Sequence, residues 1–348
     1  MSGSPSLPAT VPGSASTRAS AERRMPEVTV LIPAYNAESF IEDALRSALA
    51  QSLAPREVLV VDDGSTDDTQ RRARAFGESV RVITIPHGGP SRARNEGLRQ
   101  ARGTHIVFLD ADDILEPELC ERATSLLEQH PHLGFVFSNY RLFFEDGQTT
   151  GPRIPAGAFG GEAEVILTDP PRQIFSHGHA ISSSGLCARR EALAEAGYFD
   201  ESLRGGEDLE YWSRIFLRRS VAFLAHPYVR LRRHPHSATA NPMLMIPNIA
   251  MSMKRIHVSL EALGLMSEAP VLRRYIRQCL ETAIVSLLEA GNARQAWQSL
   301  VRFRALAFGP RWPLLAAACL VPRRLLLWRR VRRLRKERRH ARGGGRSC

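Results

Sequence analysis

Acidic side chains crowd three places in this chain. The apolar run EVLVVD (57–62) leads into AspAspGlySerThrAsp (62–67), HIVFLD (105–110) leads into AspAlaAspAsp (110–113), and an amphipathic stretch opens with GlyGlyGluAspLeuGluTyrTrp (205–212). Like charges gathered at one site destabilise one another unless a cation or donor groups compensate. Asp110, Asp112 and Asp113 offer hard oxygen atoms, which suit magnesium or manganese better than zinc. Such an ion keeps one or two carboxylates and completes its shell with water and phosphate oxygens, so a nucleotide diphosphate is its natural companion. Capping competes with this reading: Ser65 or Asp67 fits a helix cap, and Glu207 and Asp208 fit the positive end of a helix dipole. Four acids converging from two strand ends exceed what capping requires.

The elements that must position these acids are legible in the hydrophobic pattern. VTVLI (28–32), EVLVVD (57–62), VRVITI (80–85) and HIVFLD (105–110) are nearly continuous apolar runs, as strands buried on both faces require. Helix-period segments at about 38–50, 67–76, 90–101 and 116–129 separate them. Strand and helix alternating at this spacing predict an α/β, Rossmann-like fold on a mostly parallel central sheet. Ligands of such a sheet bind beyond the carboxyl ends of the strands, where ProAlaTyrAsn (33–36) and the first two acidic clusters fall. The first strand is not followed by GxGxxG, which disfavours an ordinary NAD site. Further on, 134–144 reads as a strand pair or one extended strand, 146–161 as a loop, 188–197 and 207–219 as helices, and 221–232 as a strand.

Composition bounds the rest. With 348 residues, 43% hydrophobic and 24% charged, the chain can bury a real core and is neither collagenous nor wholly disordered. The net charge of +11 is local: residues 321–348 hold 12 Lys and Arg and one Glu, which leaves 35 basic against 35 acidic side chains elsewhere. A basic body that would bind nucleic acid is thereby excluded. Lys254 and Lys336 are the only lysines, and neither lies in a phosphate loop or a kinase-like strand. Five scattered cysteines match no zinc spacing and favour a cytoplasmic setting over a disulfide framework. No apolar run reaches the roughly 18 residues of a membrane span. The expected organisation is a disordered leader at 1–25, a catalytic domain at 26–240, a helical extension at 241–310, and a basic amphipathic tail at 311–348. In the tail, Leu327, Val331 and Leu334 recur at helical spacing among arginines, with Trp328 beside them, which fits an anionic membrane surface.

Six segments, in this order and spacing, resemble the inverting family 2 glycosyltransferases and their A-type fold: VTVLIPAYNAESFIEDALRSAL, VLVVDDGSTDDT, GGPSRARNEGL, GTHIVFLDADDIL, GYFDESLRGGEDLEYWSRI and RRHPHS. The resemblance covers about 28–237. It implies that Pro33, Ala34, Tyr35, Asn36 and Asp63 hold the base and ribose of a nucleotide diphosphate sugar, with UDP a candidate. It implies that Asp110, Ala111 and Asp112 form the DxD element holding Mn2+ or Mg2+ and the diphosphate. His234 joins them as a metal or phosphate contact, assisted by Arg232, while Arg94 and Asn95 contact the donor. Asp208 is the implied general base and Glu207 its orienting neighbour. The implied product is a glycosidic bond to a hydroxyl on a cell-surface polysaccharide or a lipid-linked precursor, made by an enzyme at the inner face of the membrane. By the residues' own pattern, His177 and His179 are structural, His236 is solvated surface, and Ser182 to Ser184 line the acceptor side. The alternative is a non-catalytic protein that keeps the fold and docks on membrane or nucleic acid; the joint presence of Asp63, Asp110, Asp112 and Asp208 argues against it.

Overall fold

In the computed structural model, residues 26–155, 157–177, 181–203, 205–234, 242–289, 291–302 and 312–319 are described. The expected leader, residues 320–348 of the tail, His179 and His236 lie outside them. The apolar runs form strands β1 (Val28–Ala34), β2 (Glu57–Asp62), β3 (Val80–Thr84) and β4 (His105–Phe108), joined through helices α1 (Ile41–Leu49), α2 (Thr69–Arg74) and α3 (Pro90–Gln100). They lie parallel in the order β3-β2-β1-β4. Alternation along β1 sends Val30 and Ile32 to the side of Ile41 and Leu45 of α1, and Leu31 to the side of Ala93 of α3. Helix α3 presses so closely on this strand that a Cβ at Gly97 would lie 2.1 Å from Leu31 Cδ1.

Beyond β4 the sheet turns mixed. The elements are β5 (Ile114–Leu115), α4 (Leu119–Gln129), β6 (Leu133–Phe144), β7 (Glu164–Leu167), α5 (Pro170–His177), β8 (Cys187–Arg189), α6 (Arg190–Ala196), α7 (Glu207–Phe216) and β9 (Ser220–Arg233). Strand β8 runs antiparallel between β4 and β6, β9 runs parallel to β6, and β5 and β7 add antiparallel to β9. Residues 134–144 belong to one long strand, whose register shifts at Ser138, Asn139 and Tyr140 absorb its irregular pairing with β9. The helix expected from 188 begins at Arg190, because Cys187 to Arg189 are taken into the sheet. Neither β7 nor α5 is visible in the sequence pattern.

After β9 the described residues form the expected helices α8 (Pro242–Ala262), α9 (Ala269–Glu289) and α10 (Ala293–Arg302), and a further helix, α11 (Trp312–Ala318), lies beyond the extension expected at 241–310, within the expected tail. Helix α8 packs on α7, and α9 on both α5 and α8. Ile256, Leu260, Leu272, Ile276 and Leu280 join the core that Leu31, Phe108 and Trp212 occupy, so the extension shares the core under one face of the sheet. Among the described residues no helix is long and apolar enough to cross a membrane.

Candidate active site

At the carboxyl ends of β1 and β2 two loops are stitched together by short polar side chains. Asn36 adopts φ +48. Its side-chain Oδ1 accepts the Thr66 N–H at 2.9 Å, while its own N–H donates to Ser65 Oγ at 3.0 Å. The Ala37 N–H donates to Thr69 Oγ1 at 2.7 Å, and the Glu38 N–H to Asp67 Oδ2 at 3.1 Å. Asp67 also accepts the Thr69 N–H at 3.0 Å. Burial would push its carboxyl up, but the bonds from Thr69 and Glu38 hold it below its usual value. Asp67 is thus a local turn partner and not the helix cap that its place suggested, since the N-cap of α2 is Asp68.

Asp63 sits beneath this junction, buried. Its Oδ1 accepts the Gly88 N–H at 2.8 Å and its Oδ2 the Gly89 N–H at 2.7 Å, which anchors the turn entering α3. His87 Nδ1 stands 2.9 Å from the same Oδ2. The His87 ring stacks on Tyr35 with centroids 4.1 Å apart, and Tyr35 is 46% exposed, so the pair forms an aromatic shelf beside Asp63. Pro33 and Ala34 contribute backbone: the Ala34 carbonyl accepts the Asp63 N–H at 2.8 Å.

The other acids gather around Arg94. This buried guanidinium donates through Nη2 to Asp110 Oδ1 at 2.8 Å and through Nη1 to Glu207 Oε1 at 3.0 Å. Burial alone would lower its pKa; the charges of Asp110 and Glu207 outweigh that and raise it. Asp208 is the next residue of α7 after Glu207, and its Oδ1 accepts the Leu209 N–H at 2.7 Å. Burial first, and then the Glu207 charge, push its carboxyl up to about 6 against the opposing pull of Arg94. That value places a carboxylate where it can take and return protons near neutrality.

A second network fixes the DxD element. Ser184 Oγ accepts the Asp110 N–H at 3.0 Å and donates to Asp113 Oδ2 at 2.5 Å. The other oxygen of Asp113 accepts the Arg232 N–H at 2.9 Å, which ties the end of β9 to the loop after β4. The Arg232 side chain donates to the Asp112 carbonyl at 3.0 Å and to Asp43 Oδ2 at 2.8 Å, and its guanidinium lies over the Phe40 and Phe143 rings. His234 Nε2 stands 3.0 Å from Asp112 Oδ2, with its ring against Phe40. Serine precedes Gly185, whose φ of +80 and close approach to Val229 leave no room for a side chain. That turn is what aims Ser184 at both acids.

The geometry fits a divalent cation. Burial, and then the neighbouring charge of Asp110, push the Asp112 carboxyl up, with His234 opposing. The Asp110 and Asp112 side chains remain 36% and 30% exposed, open to an incoming ion. Among the described residues no three acidic, histidine or cysteine side chains meet as a complete ligand set. Two carboxylates are what a hard cation keeps when phosphate oxygens finish its shell.

Asp110, Asp112, Glu207, Asp208, Arg94, Arg232 and His234 thus converge, with Ala111 buried among them. Asn95 does not join them: its amide is occupied by Phe199 and Glu201. His177 packs against Phe159 as a structural side chain. Ser183 accepts the Trp212 indole N–H at 3.3 Å. Asp43, His87, and the pairing of Ser184 with Asp113 were not foreseen; the third acid of AspAlaAspAsp was the available signal for the last.

Comparison with known proteins bears on the family and the fold. Residues 29–197 match the family described as Glycosyl transferase family 2. The chain is 31% identical over 229 residues to the uncharacterized glycosyltransferase EpsJ of Bacillus subtilis (strain 168), covering 63% of this chain and 64% of EpsJ. It spans 64–67% of the length of three such curated relatives and 30–34% of three others. The crystal structure of S. aureus TarS 1-349 in complex with UDP-GlcNAc superposes with a TM-score of 0.61 at 21% identity, covering 84% of this chain and 87% of that one. Mannosyltransferase PcManGT from Pyrobaculum calidifontis, in complex with GDP-Man and Mn2+, superposes at 0.52 with 20% identity, covering 85% and 84%. At these identities the two structures establish the shared fold.

Proposed function

Residues 29–197 match glycosyl transferase family 2, and from that premise we propose that the chain transfers a sugar from a nucleotide diphosphate donor to a hydroxyl acceptor, inverting the anomeric carbon. The observation that carries the reading is the arginine bridge: Arg94 joins Asp110, on the DxD side, to Glu207, the neighbour of Asp208. One buried side chain thereby sets the distance between a diphosphate site and a base.

In this reading the Tyr35 and His87 shelf and Asp63 receive the base and ribose, and Asp110 and Asp112 face the diphosphate. A divalent ion held by Asp110 and Asp112, with His234 beside them, would neutralise the charge gathering on the departing diphosphate. Arg232 and Asp113 keep those carboxylates in place. Asp208 accepts the acceptor's proton as the hydroxyl oxygen attacks the anomeric carbon from the face opposite the diphosphate. Glu207, held by Arg94, keeps Asp208 oriented and its carboxyl near the pH at which a base works best. The complexes of TarS with UDP-GlcNAc and of PcManGT with GDP-Man and Mn2+ support a nucleotide sugar donor.

The acceptor is assigned to a cell-surface polysaccharide or glycolipid precursor, and the enzyme to the inner face of the membrane. Exposed Trp297 and Val301, shortly before the tail, and Leu314 at its start support a peripheral attachment. A thermal-shift screen of nucleotide diphosphate sugars, with and without Mn2+, tests the donor assignment. A ligand at a hundredfold excess over its Kd adds about 2.7 kcal/mol. Failure of every nucleotide sugar to stabilise the protein in the presence of Mn2+ would overturn the reading.

A further inference from the structure

We propose that Asn95 of α3 and Arg255 of α8 are positioning residues that hold residues 199–202 from two different helices and so place the base Asp208; this rests on the base reading above. The Asn95 amide grips both backbone groups of Phe199: its Oδ1 accepts the Phe199 N–H at 2.8 Å, and its Nδ2 donates to the Phe199 carbonyl at 2.9 Å. The same Nδ2 donates to Glu201 Oε1 at 2.9 Å. Asn95 is 2% exposed, and a buried side-chain amide that satisfies three partners across 104 positions of sequence specifies one arrangement of the two segments.

The grip is passed on to α7. The Phe199 ring stacks on Tyr211 with centroids 3.9 Å apart and meets Trp212 edge-on at 5.6 Å. These residues follow Asp208 by one turn, so fixing Phe199 fixes the start of the helix that bears the base. From α8, Arg255 pairs with Asp200 and donates to Ser202 Oγ at 3.2 Å, and Ser252 Oγ donates to the Gly205 carbonyl at 3.5 Å. Arg255 and Ser252 lie beyond the family-matched residues 29–197, so the helical extension supplies half of the clamp. Among the described residues Asn95 and Arg255 bond to this segment and not to Glu207 or Asp208. Their effect is on where the base stands, to which transfer rates are steep: a shift of about 1 Å can cost up to about 10²-fold.

The test measures transfer kcat, donor and acceptor KM, and nucleotide affinity by titration calorimetry with Mn2+, on N95D, R255M and the control D208N. N95D keeps the size of the side chain and an acceptor for the Phe199 N–H, but loses both donations and sets a carboxylate against Glu201. R255M acts from the more exposed side and keeps the protein folded should N95D not fold. The proposal expects kcat to fall on the order of tenfold or more in N95D and R255M, with nucleotide Kd within about twofold of the parent. It also expects E201Q, whose amide can donate to the new carboxylate, to restore part of the N95D loss. An N95D loss of nucleotide affinity equal to its loss of kcat would place Asn95 in the donor site and overturn the proposal. An unchanged kcat in R255M alongside an inactive D208N would overturn the clamp alone, whereas full activity in D208N would overturn the base reading beneath it.

Discussion

Arg94 and Glu207 stand 113 positions apart in sequence, yet Nη1 of one lies 3.0 Å from Oε1 of the other with their side chains 6% and 11% exposed. A lone charge so buried would be very costly, and either partner without the other would be left uncompensated. Because the same guanidinium also holds Asp110, one cation balances two of the acids that the fold crowds together. R94M is therefore expected to cost about 3–5 kcal/mol of stability, the range for removing one partner of a buried pair. Urea denaturation of R94M against the parent checks this, and a change under 1 kcal/mol would show that water already compensates the acids.

The raised carboxyl of Asp208 sets a pH dependence. A base works in its ionised form, so kcat is expected to rise about tenfold per pH unit below pH 6 and to level off above it, in line with its value of about 6. D208N should lower kcat by about 10²-fold or more and remove this acid limb, with nucleotide affinity retained. A pH–rate profile of both proteins decides the point. An acid limb that persists in D208N would move the titration to another group.

Asp112 carries a different expectation. D112A removes one of the two partly exposed carboxylates beside His234. Nucleotide diphosphate binding, followed by calorimetry over a Mn2+ series, should lose its metal dependence, and transfer should be abolished. Binding whose Mn2+ dependence is unchanged would relocate the ion.

Gly185 is predicted to be intolerant for a reason independent of chemistry. Its φ of +80 excludes most side chains, and a Cβ would fall 2.0 Å from Val229 Cγ2. G185A should destabilise the protein by about 2 kcal/mol or more, from left-handed strain and overpacking together. Adding V229A should recover the steric share but not the conformational one. Thermal melts of the single and double variants separate the two.

The basic tail yields the last prediction. Each basic residue near an anionic bilayer contributes about 1 kcal/mol, and 12 lie within residues 321–348. Truncation before Val321 should release the protein from anionic vesicles in flotation, while transfer to a soluble acceptor analogue persists. Vesicle binding that survives truncation and high salt would remove the tail from this role.

Much of this architecture was legible in the residues because the signals are local. Continuous β-branched runs mark β1 to β4, and acids directly after them mark the ligand end of the sheet, since both follow from which neighbours a strand buries and where it stops. The weak elements were illegible for the opposite reason. Strands β7 and β8, of four and three residues, are too short to carry a period, and exist because β9 and β4 offer them open hydrogen-bonding edges.

The sequence by itself determined the candidates: Asp63, Asp110 and Asp112 follow apolar runs, Glu207 and Asp208 open an amphipathic stretch, and their roles are those that the family resemblance implies. Only the tertiary structure decided their partners. That Arg94 bridges Asp110 to Glu207, that Asp113 ties Ser184 to Arg232, and that Asn95 turns to Phe199 depend on separations of 16 to 119 positions closed by the sheet order and by helix α7. The physical reason is that a buried polar group must find a partner among whatever packing brings within about 3 Å. Spacing along the chain does not encode that distance.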